Sequence, residues 1–197
     1  VLSNDRLTNE KVAAIEAGYR FRWRGVSFDV NAYHTQWRDK SLISSPLLRP
    51  DGTEYRAFIT GLIQTHEGVE IEWRTRPTSW AEIGGMASFG NWRWDNDVNA
   101  EITAEEGGEV LETLYIYSAG LKVSDAPPSQ VGFLSNFTLT TRLRIGANYV
   151  YNWNLYARFQ VDTDRTNPDR AGLQPVMLPA YGYLDLRGSY RFKAAGM

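Results

Sequence analysis

The chain has 197 residues, no cysteine and a net charge of −2. That excludes a disulfide framework or a thiolate metal site and leaves no basic excess to neutralise nucleic-acid phosphates, so nucleic acid is not an expected partner. Aromatic residues make up 13% of the chain, with seven Trp, eleven Tyr and eight Phe, a composition suited to strands and to membrane interfaces.

No run approaches the roughly 18 consecutive apolar residues of a transmembrane helix, a test that says nothing of strands that are apolar on one face only. The chain opens Val1-Leu2-Ser3-Asn4-Asp5-Arg6, without a basic-then-apolar leader. For an exported protein the expectation is a cleaved leader or a piece of a longer chain.

In chain order, Ile15, Ala17, Tyr19, Phe21 and Trp23 alternate with Glu16, Gly18, Arg20 and Arg22, which predicts a strand over 12–23 with one apolar face. After Arg24-Gly25 the phase switches to Val26, Phe28, Val30 and Ala32, giving a second strand over 26–37 and a tight hairpin. Val69, Ile71 and Trp73 oppose Glu70, Glu72 and Arg74 in 68–76, and Ala81, Ile83, Ala87 and Phe89 mark 81–94. Phe133, Phe137 and Leu139 mark 129–139. From Leu143 to Phe159 every odd-numbered residue is apolar or aromatic, a predicted strand far longer than the usual 5–6 residues or so. Leu184, Leu186, Tyr190 and Phe192 against Asp185, Arg187, Ser189 and Arg191 give the last, 180–192.

Seven principal strands are thus predicted, joined by tight turns at 24–25, 77–80 and 140–142 and by long loops at 38–67, 95–128 and 160–179. Long and short connections segregate to opposite ends, as in bacterial outer-membrane barrels with short periplasmic turns and long extracellular loops. Within the loops, Pro50-Asp51-Gly52 is a turn signal between 41–49 and 53–63 that predicts an extracellular hairpin. Residues 110–124 alternate again through Tyr115, Tyr117, Ala119, Leu121 and Val123, a pattern of strand extensions above the membrane.

These residues resemble the C-terminal part of the β-barrel of TonB-dependent outer-membrane receptors. LTNEKVAAIEAGYRFRWRGVSFDVNAYHTQWRDK, with Glu10, Glu16, Gly18, Tyr19, Tyr33 and Trp37, is similar to an opening strand pair of that family. HEGVEIEW at 66–73, KVSDAPPSQ at 122–130, LYARF, DTDRTNPDRAG and LPAYGYLDLRGSYRF at 178–192 resemble later parts in the same order. The resemblance implies an all-β fold, an antiparallel up-and-down transmembrane barrel portion of about 7–8 meandering strands, with residues 1–197 a partial barrel domain. It further implies a full receptor with a plug, a TonB-contacting segment and about 22 strands, none of which but a third of the barrel fits here; the chain reads as a fragment. Expected partners are outer-membrane lipid, the TonB complex through the missing N-terminal part, and a small-molecule ligand such as a siderophore, cobalamin or glycan.

No catalytic residue, cofactor or metal is expected, and the chain is not read as an enzyme. His34 and His66 stand far apart, with no His-Glu-x-x-His or Gly-x-Ser-x-Gly pattern; His34 is placed near a membrane interface, and His66 beside Glu67, Glu70 and Glu72 suggests a metal cluster, although Glu70 and Glu72 share one strand face and the simpler reading is a polar lumen wall. Asp162, Asp164 and Asp169 imitate a calcium loop, but Arg165 and Thr166 replace its turn glycine. Trp92 and Trp94, on the lumen-facing phase near the outer end, are the candidate ligand-binding residues, with a girdle or rim role as the alternative. Trp23, Trp73 and Trp153 fall on the apolar face. Arg20, Arg22, Arg74, Arg142, Arg144, Arg158, Arg187 and Arg191 point inward, where unpaired burial is costly. Two other architectures compete: a complete small barrel, which needs 110–124 as an eighth strand, and a soluble β-sandwich with an aromatic carbohydrate platform, which requires the odd faces to meet in a dry core.

Overall fold

The computed structural model describes residues 9–192 apart from 45–46, 49–51, 53, 104–108, 125, 160 and 162. Val1–Arg6, the Pro50-Asp51 turn signal and Asp162 therefore lie outside the described residues. The strands are β1 Lys11–Trp23, β2 Val26–Ile43, β3 Leu47–Leu48, β4 Glu54–Thr78, β5 Ala81–Trp94, β6 Val98–Thr103, β7 Val110–Ile116, β8 Ser129–Thr138, β9 Leu143–Trp153 and β10 Tyr181–Tyr190. Helical structure among the described residues is a single turn, α1 Thr163–Thr166, and a 3-10 turn at Pro168–Arg170.

The seven predicted strands form one antiparallel meander in the order β1-β2-β4-β5-β8-β9-β10. Register carries the alternation from strand to strand. Phe21 pairs with Phe28, Phe28 with Trp73, Trp73 with Gly85, Gly85 with Phe133, Phe133 with Tyr149 and Tyr149 with Leu184, so one apolar row crosses the whole sheet. The adjacent row, on the other face, is Arg20, Asp29, Glu72, Met86, Gly132, Val150 and Tyr183. Apolar residues of the first row stand open rather than packed: Phe133 is 49% and Leu184 59% exposed. The odd faces do not meet in a dry core, which removes the sandwich.

The rows also stagger. The row through Trp23 runs through Val26, Thr75, Ile83, Ser135, Ala147 and Leu186. Below it β5 and β8 still pair Ala81 with Phe137, and β9 and β10 pair Leu143 with Tyr190. Each hairpin reaches lower than the one before, which is the shear that tilted barrel strands require. From Leu143 to Trp153, at about 3.4 Å per residue, β9 runs about 34 Å, enough when tilted to cross the roughly 25 Å apolar band of an outer-membrane barrel. The sheet is not closed: β1 and β10 each have one neighbour among the described residues. Among the described residues β7 pairs with β6 alone, so 110–124 adds no eighth strand to the meander there.

Three expectations change. The long strand 143–159 ends at Trp153, because Asn154 adopts φ 60; beyond it the chain only bridges Tyr156 to Met177. The loop expected at 38–67 is largely strand: β2 continues to Ile43 past a bulge at Asp39 (φ 59), and β4 begins at Glu54. The loop 95–128 holds the β6–β7 hairpin, laid against β4 by the pairs from Arg56–Thr103 to Ile59–Ala100. Residues 121–124 then run beside β5, with Val123 N donating to Trp92 O and Trp94 N to Leu121 O.

The buried core lies at the long-loop end. Ala57, Ile59, Leu62, Trp94, Ala100, Ile102, Ile116, Leu121 and Phe159 pack together there, so the long connections form a compact cap whose stability is of the ordinary apolar kind.

Candidate functional site at the long-loop end

The outward face changes character between two adjacent rows. Ala17, Ala32, Val69 and Phe89 form the last apolar row, and Ile15, His34, Glu67 and Asn91 stand next above it. Phe89 and Trp153 meet edge to face at 6.0 Å, and Tyr151 stacks on Trp153 at 5.9 Å, an aromatic girdle just below the polar row. Above the girdle Glu67 accepts from Arg93 Nη1 (2.5 Å) and Asn91 Nδ2 (3.1 Å), with His34 Nδ1 at 3.5 Å. Arg93 and Asn91 hold the Glu67 carboxyl below its ordinary range. His34 thus stands at the interface, and His66 and Glu67 lie beyond the spanning segment of β4.

On the inward phase of the same strands an aromatic cluster assembles. Register sets His66 opposite Thr35 on one side and Trp92 on the other. The His66 and Trp92 rings stack at 4.3 Å and 5°, and Trp37 meets His66 edge-on at 4.5 Å. Trp92 Nε1 donates to Tyr33 Oη (3.0 Å). Tyr33 lies across Gly68 and Gly90: a Cβ at Gly68 would stand 2.6 Å from Tyr33 Oη, and one at Gly90 3.1 Å from it. Those two glycines are the space into which the ring fits. The Gln64 amide nitrogen is 2.5 Å from His66 Nε2, a contact a neutral ring accepts. Burial, reinforced by the Lys40 charge, lowers the His66 pKa to about 4, so the ring is neutral near pH 7.

A cavity of about 220 Å³ adjoins this cluster, lined among others by Lys40, Gln64, His66, Trp92, Trp94 and Arg158. Trp92 is half-buried there. Trp94 is 6% exposed and packs edge-on against Phe159 at 6.0 Å, within the core that supports the cavity. Lys40 reaches the site because the bulge at Asp39 shifts the phase of β2; its ammonium is 5.8 Å from the Trp37 ring. Aromatic faces, an ammonium and a neutral imidazole together offer stacking and charge to a ligand.

The structure brings Trp92 and Trp94 to one cavity with His66 and Lys40 and sets Tyr33 against Trp92 and Trp37 against His66 beside it; sequence reasoning assigned none of these four to ligand contact. The signal for three of them was present, since Tyr33, Trp37 and His66 share the inward phase. No group of three potential metal ligands occurs among the described residues, and the side chain of Asp164 lies outside them. Trp23, Trp73 and Trp153 stand on the apolar face as expected.

The family described as TonB dependent receptor-like, beta-barrel, matches residues 1–196. No curated protein matches the chain. An antiparallel, staggered sheet that is apolar on one face and polar on the other, with long connections at one end, is what that match requires, and the chain belongs to the TonB-dependent receptor-like β-barrel family of outer-membrane receptors and transporters.

Proposed function

We propose that the seven strands form one sector of the wall of a larger receptor barrel that imports a scarce solute, with the inner-membrane TonB complex as its energy-coupling partner. The observation that carries this reading is the staggered sheet whose outer strands β1 and β10 each have one neighbour among the described residues, since an apolar face this open calls for lipid and such edges call for further strands. The aromatic cavity at the long-loop end is the proposed ligand contact, with Trp92 as its stacking face and Trp94 as the packed support behind it. Its make-up suits an iron chelate, a cobalamin or a glycan, all of which offer planar or ring surfaces to aromatic side chains.

The test is uptake of labelled ferric chelate, cobalamin and oligosaccharide by cells carrying the protein, with and without a functional TonB complex. Import of one solute that stops without TonB supports the reading, and Trp92→Ala should then weaken that solute's binding at unchanged surface abundance. Import that continues without TonB would indicate passive permeation and defeat it.

A further inference from the structure

The β6–β7 hairpin belongs to the cap at the long-loop end and has two unlike faces. Val98, Ala100, Ile102 and Ile116 on its inner face are buried in the cap core, with Leu114 packed against them. The opposite face carries Leu111 and Tyr115, each 50% exposed, and the Tyr115 and Tyr117 rings meet edge to face at 5.0 Å. β6 is paired on both sides, with β4 and with β7, whereas β7 has β6 as its one strand neighbour among the described residues. The pairs from Val98–Ile116 to Ile102–Glu112 hold β7 extended along that side, so its other edge is fixed in strand form.

Tyr117 gives the direction of that edge. Its N–H donates to Arg165 O (2.8 Å), away from β6 and toward α1. Backbone groups alternate along a strand, so the amides of Tyr115 and Thr113 point the same way and continue the row. Exposed edges are commonly blunted by lysine or proline, and Val110–Tyr117 contains neither.

The same stretch sets the charge. Residues 94–121 hold seven carboxylates and no lysine, arginine or histidine. Two of the seven are engaged locally: Asp95 lies 3.3 Å from Arg93, and Asp97 accepts from the Ser118 and Ala119 amides. Glu109 and Glu112, at the far end of β7, are exposed. The segment that already meets this edge brings a cation with it, since Arg165 is 4% exposed.

We propose that the open edge of β7 is a docking site for an extended, lysine- or arginine-rich segment of another polypeptide, which adds to the hairpin as a further strand. Main-chain bonds to Thr113 and Tyr115 supply the grip, and Leu111 and Tyr115 supply apolar contact on the exposed face. The surrounding carboxylates select a cationic chain and speed its approach. Because the cap core fixes β7 beforehand, little order is lost from this side on binding. The inference depends neither on which solute is imported nor on the TonB complex.

The probe is a fluorescein-labelled decapeptide of alternating lysine and valine, added to the protein extracted from outer membranes in neutral detergent. Anisotropy reports binding, and hydrogen exchange of 109–117 reports its place. Saturable binding with slowed exchange at Thr113 and Tyr115 is expected. The same peptide N-methylated along its backbone keeps its charge but cannot pair, and should bind about tenfold or more weakly. Thr113→Pro removes an edge donor while sparing the bonds to β6 and should weaken the unmethylated peptide in the same direction. Glu109→Gln/Glu112→Gln should weaken it about threefold or more and flatten its salt dependence. Equal binding of the methylated and unmethylated peptides would reduce the contact to charge attraction and overturn the proposal. Absence of saturable binding, in protein that keeps its heat-modifiable gel mobility, would overturn it as well, since β7 would then be covered by another part of the receptor.

Discussion

Trp92 lies flat on His66, ring over ring at 4.3 Å, and burial together with the Lys40 charge keeps the imidazole of that pair neutral. An unfolded His66 titrates near 6.5, the folded one near 4. Above the higher value neither state binds the proton, and stability is full. As pH falls from 6.5 toward 4 the unfolded chain takes up a proton that the folded chain resists, so stability declines across that window. Unfolding midpoints in detergent should therefore drop on acidification, and His66→Gln should flatten the drop. An equal slope in the variant would show that other groups control it.

Gly68 sits under Tyr33 and beside the Phe89 carbonyl, 2.6 and 2.7 Å from where a Cβ would stand. Gly68→Ala should cost about 1–3 kcal/mol and break the Trp92–Tyr33 bond, seen as a change in tryptophan emission. Removing the ring as well, in Gly68→Ala/Tyr33→Ala, should recover only part of the loss, because the backbone carbonyl remains.

Neighbouring residues on β8 face opposite media. Phe133 belongs to the apolar row and Leu134 to the polar face. Phe133→Arg should cost about 2–4 kcal/mol near the middle of the bilayer and reduce the assembled, heat-modifiable fraction in outer membranes. Leu134→Arg should leave that fraction close to its original level.

The β1–β2 turn has positive φ at both central residues, Arg24 at 43 and Gly25 at 81, the pattern of a type I′ turn. Asparagine tolerates that region better than arginine does. Arg24→Asn should raise the unfolding midpoint by an amount equivalent to about 0.5 kcal/mol, less whatever the Arg24–Trp23 ring contact at 5.0 Å contributes.

Leu121 is fully buried in the cap over the long-loop end. Leu121→Ala should cost about 2–5 kcal/mol within that cap. Limited proteolysis of intact cells should then cut the surface-exposed connections faster, while membrane assembly is retained. Impaired assembly would mean that the cap and the spanning sheet fold as one unit.

A period of two is a local property, because successive side chains of any extended chain point to opposite sides. The positions of β1, β5, β8 and β10 were therefore legible in the residues themselves, and so were the apolar face and the inward phase of Trp92 and Trp94. The end of β9 was not legible. Leu155, Ala157 and Phe159 continue the alternation, yet Asn154 turns the chain at φ 60 and Phe159 is drawn into the cap against Trp94. The bulge that brings Lys40 to the cavity was equally hidden, as was the stack of His66 on Trp92. Each of these depends on register between residues tens of positions apart, and pairing across strands sets that register when the sheet assembles.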